Sequence, residues 1–314
     1  MPEPGHGRGE DPTPKNPSLG ADSTPTVAPG PAGTRFAEVR WFEALDSTNR
    51  YLLNEARRGA AEGLVVVADH QSAGRGRLGR RWEAPRAANL LVSILLRPRL
   101  PVDARHLASA VVALAAADAC EALSGVAVDV KWPNDLLVGG RKLAGVLAEA
   151  DVGSEDRSPI VVGIGINVAW PPRPSGDQTE PETADQTTPD AASPLRTEVT
   201  DVADTATSLL AECGQPVDRA QLLERLLVGL EPRVAALDSL GGRNGQAADL
   251  QDRCSTIGAR VRVDTAAASF VGTALSVTVE GHLVVDVDHQ GPRTVVVGDV
   301  IHLRMAPEQG RGPE

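Results

Sequence analysis

The chain has 314 residues, 41% of them hydrophobic, and a formal net charge of −11. That length allows about two domains of ordinary size, and the acidic balance argues against a nonspecific nucleic-acid surface, which needs a basic face. Cys120, Cys213 and Cys254 lie far apart with no CxxC pair, which excludes a thiolate metal cluster and fits a reducing cytoplasm. No apolar run reaches the roughly 18 residues expected of a membrane span. The first residues lack the basic and apolar regions of a signal peptide. The expectation is a cytoplasmic protein without membrane or nucleic-acid partners.

Residues 1–33 are rich in Pro, Gly, Ser and Thr, lack an apolar period, and read as a disordered tail with no patterning for a helix-turn-helix. The folded part is expected from near Phe36. Asp46-Ser47-Thr48-Asn49 is a capping cluster before a helix with Tyr51, Leu52 and Ala56 on one face. Residues 64–68 read as a buried strand. The segment 71–82, Gln-Ser-Ala-Gly-Arg-Gly-Arg-Leu-Gly-Arg-Arg-Trp, reads as a loop. A strand at 89–96, a helix at 103–123 with Leu107, Val111 and Leu114 on one face, and a strand at 126–130 follow. Residues 136–138 and 141–150 form a hairpin across Gly139-Gly140, and 160–168 is a further strand. The Pro/Thr/Asp/Glu-rich stretch 171–197 reads as a mobile surface insertion. Two helices are predicted at 201–212 and 217–239, the second kinked or broken at Pro232, and 241–245 is a turn-rich hinge. Five short Val-rich strands between 259 and 303 predict a small β-barrel.

Four segments carry chemistry. The 71–82 loop combines glycines that let backbone approach a ligand, arginine forks that match phosphate oxygens, and an aromatic cover, Trp82. In an acidic chain such local basicity suits a small phosphorylated ligand. Lys131-Trp132-Pro133-Asn134-Asp135 sets a cation, an aromatic, an amide and a carboxylate in succession. Arg141-Lys142-Leu143-Ala144-Gly145 starts a strand with a lysine beside small residues. Gly163-Ile164-Gly165-Ile166-Asn167 puts two glycines inside a strand, a sign of close approach. Each has a plainer reading: Ser47, Thr48 and Asn49 as helix caps, Lys131 and Asp135 as a surface ion pair, Lys142 as an exposed strand residue, Asn167 as a strand cap.

Taken in order, these segments resemble the biotin–protein ligases, over about residues 40–305 apart from 171–197, and of the monofunctional type without a DNA-binding domain. The resemblance implies an α+β fold. A mixed β-sheet catalytic domain of the class II aminoacyl-tRNA-synthetase-like, biotin/lipoate ligase type would span 34–254. A small C-terminal Src-homology-3-like β-barrel would span 255–305, with a disordered tail at 306–314. It implies formation of biotinyl-5′-AMP from biotin and ATP with Mg²⁺, then transfer of biotin to a lysine of the biotin carboxyl carrier domain of an acyl-CoA carboxylase. By position, Ser47, Thr48, Asn49, Gln71, Gly74, Arg75, Gly76, Arg77, Lys142 and Gly145 would bind biotin. Arg77, Trp82, Lys131, Asn134 and Asn167 would bind the nucleotide. Lys142, Arg75 and Asp135 would be catalytic, and Asp135 would sit by the Mg²⁺. The protein would be a monomer or homodimer. One departure stands out: an aromatic expected shortly before the barrel is missing, where Arg253-Cys254 stand. The alternatives are a lipoate or octanoate transferase on the same fold, a binding protein that has lost catalysis, and a DNA-binding repressor.

Overall fold

The computed structural model describes residues 24–150, 158–172 and 206–303. An eight-stranded sheet has the order β1-β2-β3-β4-β8-β7-β6-β5. Its strands are β1 Thr26–Pro29, β2 Glu38–Phe42, β3 Leu64–Ala68, β4 Leu90–Leu96, β5 Asp129–Lys131, β6 Asp135–Val138, β7 Arg141–Ala150 and β8 Ile160–Ile166. Only the β2–β3 pair is parallel. β1 corrects the expectation of a disordered tail up to residue 33. Thr26–Pro29 pairs antiparallel with Glu38–Trp41, yet all four residues are exposed. Backbone pairing with an open edge, not burial, makes this strand, so no apolar alternation announces it. The rest of the proposed tail, 1–23, lies outside the described residues, as do 173–205 and 304–314.

The period-two alternation of the central strands sorts side chains onto two faces. On one face Val65, Val67, Leu90, Val92, Ile94, Val162, Ile164 and Ile166 join helix α2, Leu107–Ser124, in the main core. Helices α4, Arg219–Leu237, and α5, Leu240–Arg253, pack outside α2. On the other face Val66, Leu95 and Val161 meet Leu52 and Ala56 of α1, Thr48–Arg57. Each fully buried Leu or Val stabilises by about 1.5–3 kcal/mol relative to exposure, so both faces are fixed by the strands' own pattern.

Several expectations shift. Val102–Ser124, mean hydropathy 1.6, is long and apolar enough by composition to cross a membrane, contrary to the reading that no run is. Its packing between the sheet and α4 makes it a core helix. Pro232 lies inside α4 without breaking it. The hinge expected at 241–245 is instead the first part of α5. Ser239 caps that helix, accepting from Gly242 N at 3.0 Å, and Ala247 and Leu250 are buried. The cap and the buried face outweigh the glycines' poor helix propensity. The described part of the helix predicted at 201–212 is α3, Leu209–Cys213.

The C-terminal sheet is antiparallel, order β12-β11-β10-β9-β13. Its strands are β9 Arg260–Asp264, β10 Ser269–Val277, β11 Leu283–Val287, β12 Gly291–Val295 and β13 Asp299–His302. Alternate residues Val261, Val263, Phe270, Ala274, Leu283, Val285, Val287, Val295 and Val300 form its own core. This matches the expected small barrel of five short strands.

Candidate active site

Alternation also decides where the site lies. In β8 the isoleucines and Val162 face α2, so Val161, Gly163 and Gly165 face α1. α1 covers the first two: a Cβ on Gly163 would fall 2.1 Å from Asn49 Oδ1. Beyond the start of α1 the floor is Gly165 and its register partner Gly145 on β7. Above this floor a cavity of about 1130 Å³ opens, roofed by the glycine/arginine loop.

At the α1 end the polar groups are fixed before any ligand arrives. Ser47 caps α1, its side chain accepting from Arg50 N. Gln71 Oε1 accepts from Thr48 N at 2.7 Å and from Thr48 Oγ1 at 3.1 Å. Ser93 Oγ lies 2.7 Å from Thr48 Oγ1 and 2.6 Å from Asn49 Oδ1. At the centre Lys142 Nζ stands 2.7 Å from Asp135 Oδ1 and 5.6 Å from the Trp82 ring centroid. The hairpin of β6 and β7 brings these two together, with a bulge between Leu136 and Leu137.

The roof is tied down at several points. Trp82 N donates to Gly74 O at 3.0 Å, and Arg75 bridges to Arg81. Arg77 donates to Asn134 Oδ1 at 3.1 Å and to Gly298 O, in the barrel, at 3.0 Å. Burial pulls the Arg77 guanidinium below its ordinary pKa, against the pull of Asp299 and Asp135. Arg75 pairs with Glu149 at 3.3 Å and Arg80 with Asp299 at 2.6 Å. Both of these arginines are more than half exposed, so each pair contributes at most about 1 kcal/mol. An anion entering the cavity can therefore take over both guanidinium groups at little cost. Arg75, Arg77, Arg80, Arg81, Lys131, Arg141 and Lys142 line the cavity against the carboxylates of Glu83, Asp135 and Asp299. In a chain of net charge −11, that concentration of cations suits a polyanionic ligand.

The structure brings the predicted site residues to this one cavity, Gly74 excepted, whose backbone packs against the Trp82 carbonyl. Three details differ from expectation. The space above Gly145, a residue expected to bind biotin, is taken by Trp82 and by the Lys142 side chain. Asn49 is buried and its amide is committed to the frame: Nδ2 donates to Leu147 O at 3.1 Å and to Glu149 Oε2 at 2.8 Å. Asn167 is likewise buried, donating to Thr207 O at 3.0 Å and accepting from Asn89 Nδ2 at 2.9 Å. Both asparagines brace the site more than they face it, because their side-chain amides are committed to buried or part-buried polar partners on β7, in the loops and on neighbouring side chains.

Ser93, Glu149, Asp299 and His302 were not singled out from the sequence. Ser93, a lone hydroxyl within Leu-Leu-Val-Ser-Ile-Leu-Leu, was findable as a polar break in an apolar strand. Nothing local marks Asp299 or His302, which reach the cavity only because the barrel packs beside it.

Comparison with known proteins bears on this arrangement. The model of the biotin/lipoate A/B protein ligase family matches residues 41–167. The biotin–[acetyl-CoA-carboxylase] ligase of Mycobacterium tuberculosis is 36% identical over 284 residues, 87% of this chain and 92% of that one. The bifunctional ligase/repressor of Bacillus subtilis is 28% identical, covering 83% and 72%. The biotin protein ligase of Aquifex aeolicus, solved in complex with biotin and ATP, aligns with TM-score 0.62 at 24% identity, covering 85% of this chain and 99% of that chain, which shows a common fold. The cavity, its roof and the alignment across nearly the whole of the mycobacterial relative lead to one statement: this chain belongs to the biotin/lipoate A/B protein ligase family, among its biotin–protein ligases.

Proposed function

We propose that the protein is an ATP-dependent biotin–protein ligase, joining biotin to a lysine of an acceptor protein through biotinyl-5′-AMP. One observation carries the reading. A Lys142–Asp135 pair shares one cavity, beneath one loop, with the preset polar groups at Thr48–Gln71 and with a set of cationic side chains. Biotin has a polar ureido head and a carboxylate tail, and ATP is a polyanion. The cavity holds hydrogen-bonding groups suited to the first and cations suited to the second, with Lys142 among them, which supports the reading.

In the first step a carboxylate oxygen attacks the α-phosphorus, the new P–O bond forms, and pyrophosphate leaves with the electrons of the broken P–O bond. Two anions must approach, so the ammonium of Lys142 and the guanidinium of Arg75 lower the repulsion and stabilise the charge that develops. Ser47, Thr48 and Gln71 orient the ureido head, and Arg77, Lys131 and Asn134 hold the nucleotide. Among the described residues no cluster of three metal-ligating side chains is present. Asp135 can offer one carboxylate oxygen, with Lys142 on the other, which fits a Mg²⁺ that keeps several waters and is held chiefly by phosphates. Such an ion would neutralise charge on the phosphates. Trp82 and the arginine loop keep water from the anhydride.

In the second step the acceptor's neutral lysine attacks the acyl carbon, an amide forms, and AMP leaves. Asp135 is placed to orient that amine or take its proton. The acceptor is the biotin carboxyl carrier domain of an acyl-CoA carboxylase, and the setting is cytoplasmic.

The test is pyrophosphate release with ATP and Mg²⁺, offering biotin or lipoate, in wild type and Lys142→Ala. Release with biotin alone, reduced about 10²- to 10³-fold in the variant, is expected. Release with lipoate but not biotin would overturn the substrate assignment, and none with either would overturn the activity.

A further inference from the structure

Lys131-Trp132-Pro133-Asn134-Asp135 does not face the cavity as a unit. Lys131, Asn134 and Asp135 line it, and Trp132 does not. Asn134 is stitched into β7, its Nδ2 donating to Val146 O at 2.8 Å and its own carbonyl accepting from Val146 N at 2.8 Å. Trp132 turns the other way. It is 2% exposed and belongs to the core of the barrel, beside Cys254, Val261 and Leu283. Its Nε1 donates to Gly281 O at 3.0 Å, in the β10–β11 turn. Its backbone N donates to Thr256 Oγ1 at 3.1 Å.

Thr256 is fully buried, so its hydroxyl hydrogen needs an acceptor of its own. The oxygen already receives Trp132 N–H. Its other partner among the described residues is His302 Nε2, at 3.0 Å. The hydroxyl therefore donates to Nε2, and the imidazole carries its proton on Nδ1. Burial, and then the charge of Lys131, hold the His302 pKa below its ordinary value, in keeping with a ring that accepts. His302 itself lines the cavity beside Lys131.

We propose that Trp132 and Thr256 are positioning residues for the ligation reaction: the barrel grips the Lys131–Asp135 turn through the Trp132 ring and the chain Trp132 N–Thr256 Oγ1–His302 Nε2, and so sets Lys131 and Asp135 against Lys142. The barrel is then part of the reacting centre's frame. This rests on the ligase reading above, and wild-type pyrophosphate release tests that reading separately.

The experiment compares Thr256→Val and Thr256→Ser with wild type in biotin-dependent pyrophosphate release, varying ATP and biotin in turn. Valine keeps the shape but removes both links; serine keeps the hydroxyl. In Thr256→Val, kcat is expected to fall about tenfold or more, since small misplacements of reacting groups are costly. KM for biotin should stay within about twofold, the biotin end being held by α1 and Gln71. Thr256→Ser should restore kcat to within about twofold. Wild-type kcat in Thr256→Val, or equal losses in both variants, would overturn the proposal. Nitrogen-detected NMR of the wild-type imidazoles does not depend on either variant folding. His302 should show an unprotonated Nε2 and a protonated Nδ1, and the opposite tautomer would also overturn it.

Discussion

Replacing Gly165 by alanine separates the catalytic role proposed for the loop from the stability of the sheet. The new Cβ would lie 2.6 Å from Trp82 Cε2, 2.7 Å from Nε1 and 2.8 Å from Cζ2, so either strand or indole must move. The strand is held on both sides, by Leu91 on β4 and Gly145 on β7. The indole hangs from a loop whose exposed ion pairs contribute at most about 1 kcal/mol each. Forced overpacking costs about 1–3 kcal/mol when nothing can give way, so the loop moves first. Alanine in place of glycine in a strand returns about 0.5–1 kcal/mol. Thermal stability should therefore change by less than about 1 kcal/mol. Activity should not be spared, because displacing Trp82 uncovers the floor beside Lys142 and moves Arg75 and Arg77 with it. A shift of about 1 Å at such a site costs around 10²-fold in kcat/KM, equivalent to about 2.7 kcal/mol of transition-state stabilisation. The assay is steady-state pyrophosphate release, together with release of free adenylate into solution, which should rise as the cover is lost. In a Trp82→Ala background the same substitution should have little further effect, since the clash has gone. Wild-type kcat/KM in Gly165→Ala, or a full 10²-fold loss added on top of Trp82→Ala, would refute the reasoning.

Gly163→Ala should act on the fold instead. Its Cβ would fall 2.1 Å from Asn49 Oδ1, an atom held by Ser93 in a buried network, and a loss of about 1–3 kcal/mol should appear as a lower denaturation midpoint. Asp135→Asn keeps the side chain's shape but removes the charge facing Lys142. If Asp135 orients or deprotonates the acceptor amine, transfer from preformed adenylate should slow about 10²-fold, and undiminished transfer would sink that role. Glu231 is pushed up by burial, but hydrogen bonds and charge from Arg35 outweigh this and hold it below its ordinary range. A depressed folded pKa means stability that is fully present above the unfolded value, about 4.3, and is lost as pH falls through the folded value. Glu231→Gln should therefore destabilise by about 1.5–3 kcal/mol at pH 7, and the gap to wild type in urea melts should close as pH falls through the folded value; a gap independent of pH would refute the linkage.

Much of the site could be read from the chain because its signals are local. The Ser47 cap, the β6–β7 hairpin that carries Lys142 towards Asp135, and the glycine/arginine loop each depend on neighbours a few residues away. Backbone propensity and turn chemistry act over that range. The alternation that sends Gly163 and Gly165 to the face opposite α2 is also written in β8, although its use as a cavity floor is not. The misreadings share one cause. Thr26–Pro29 becomes a strand because an edge at Glu38–Trp41 offers unpaired backbone groups. Leu240–Arg253 becomes a helix because Ala247 and Leu250 find a buried place beside α2 and α4. Asn49 and Asn167 face inward to carbonyls and amides that come from 25 to about 100 residues away. Sequence alone determined which side chains carry charge and hydrogen-bonding capacity and where the local turns fall, since residue types and spacing fix these. Tertiary structure decided which polar groups are already satisfied and how the barrel joins the site. Those depend on partners distant in sequence, and a hydrogen-bonding group is free or committed only once burial has chosen its neighbours.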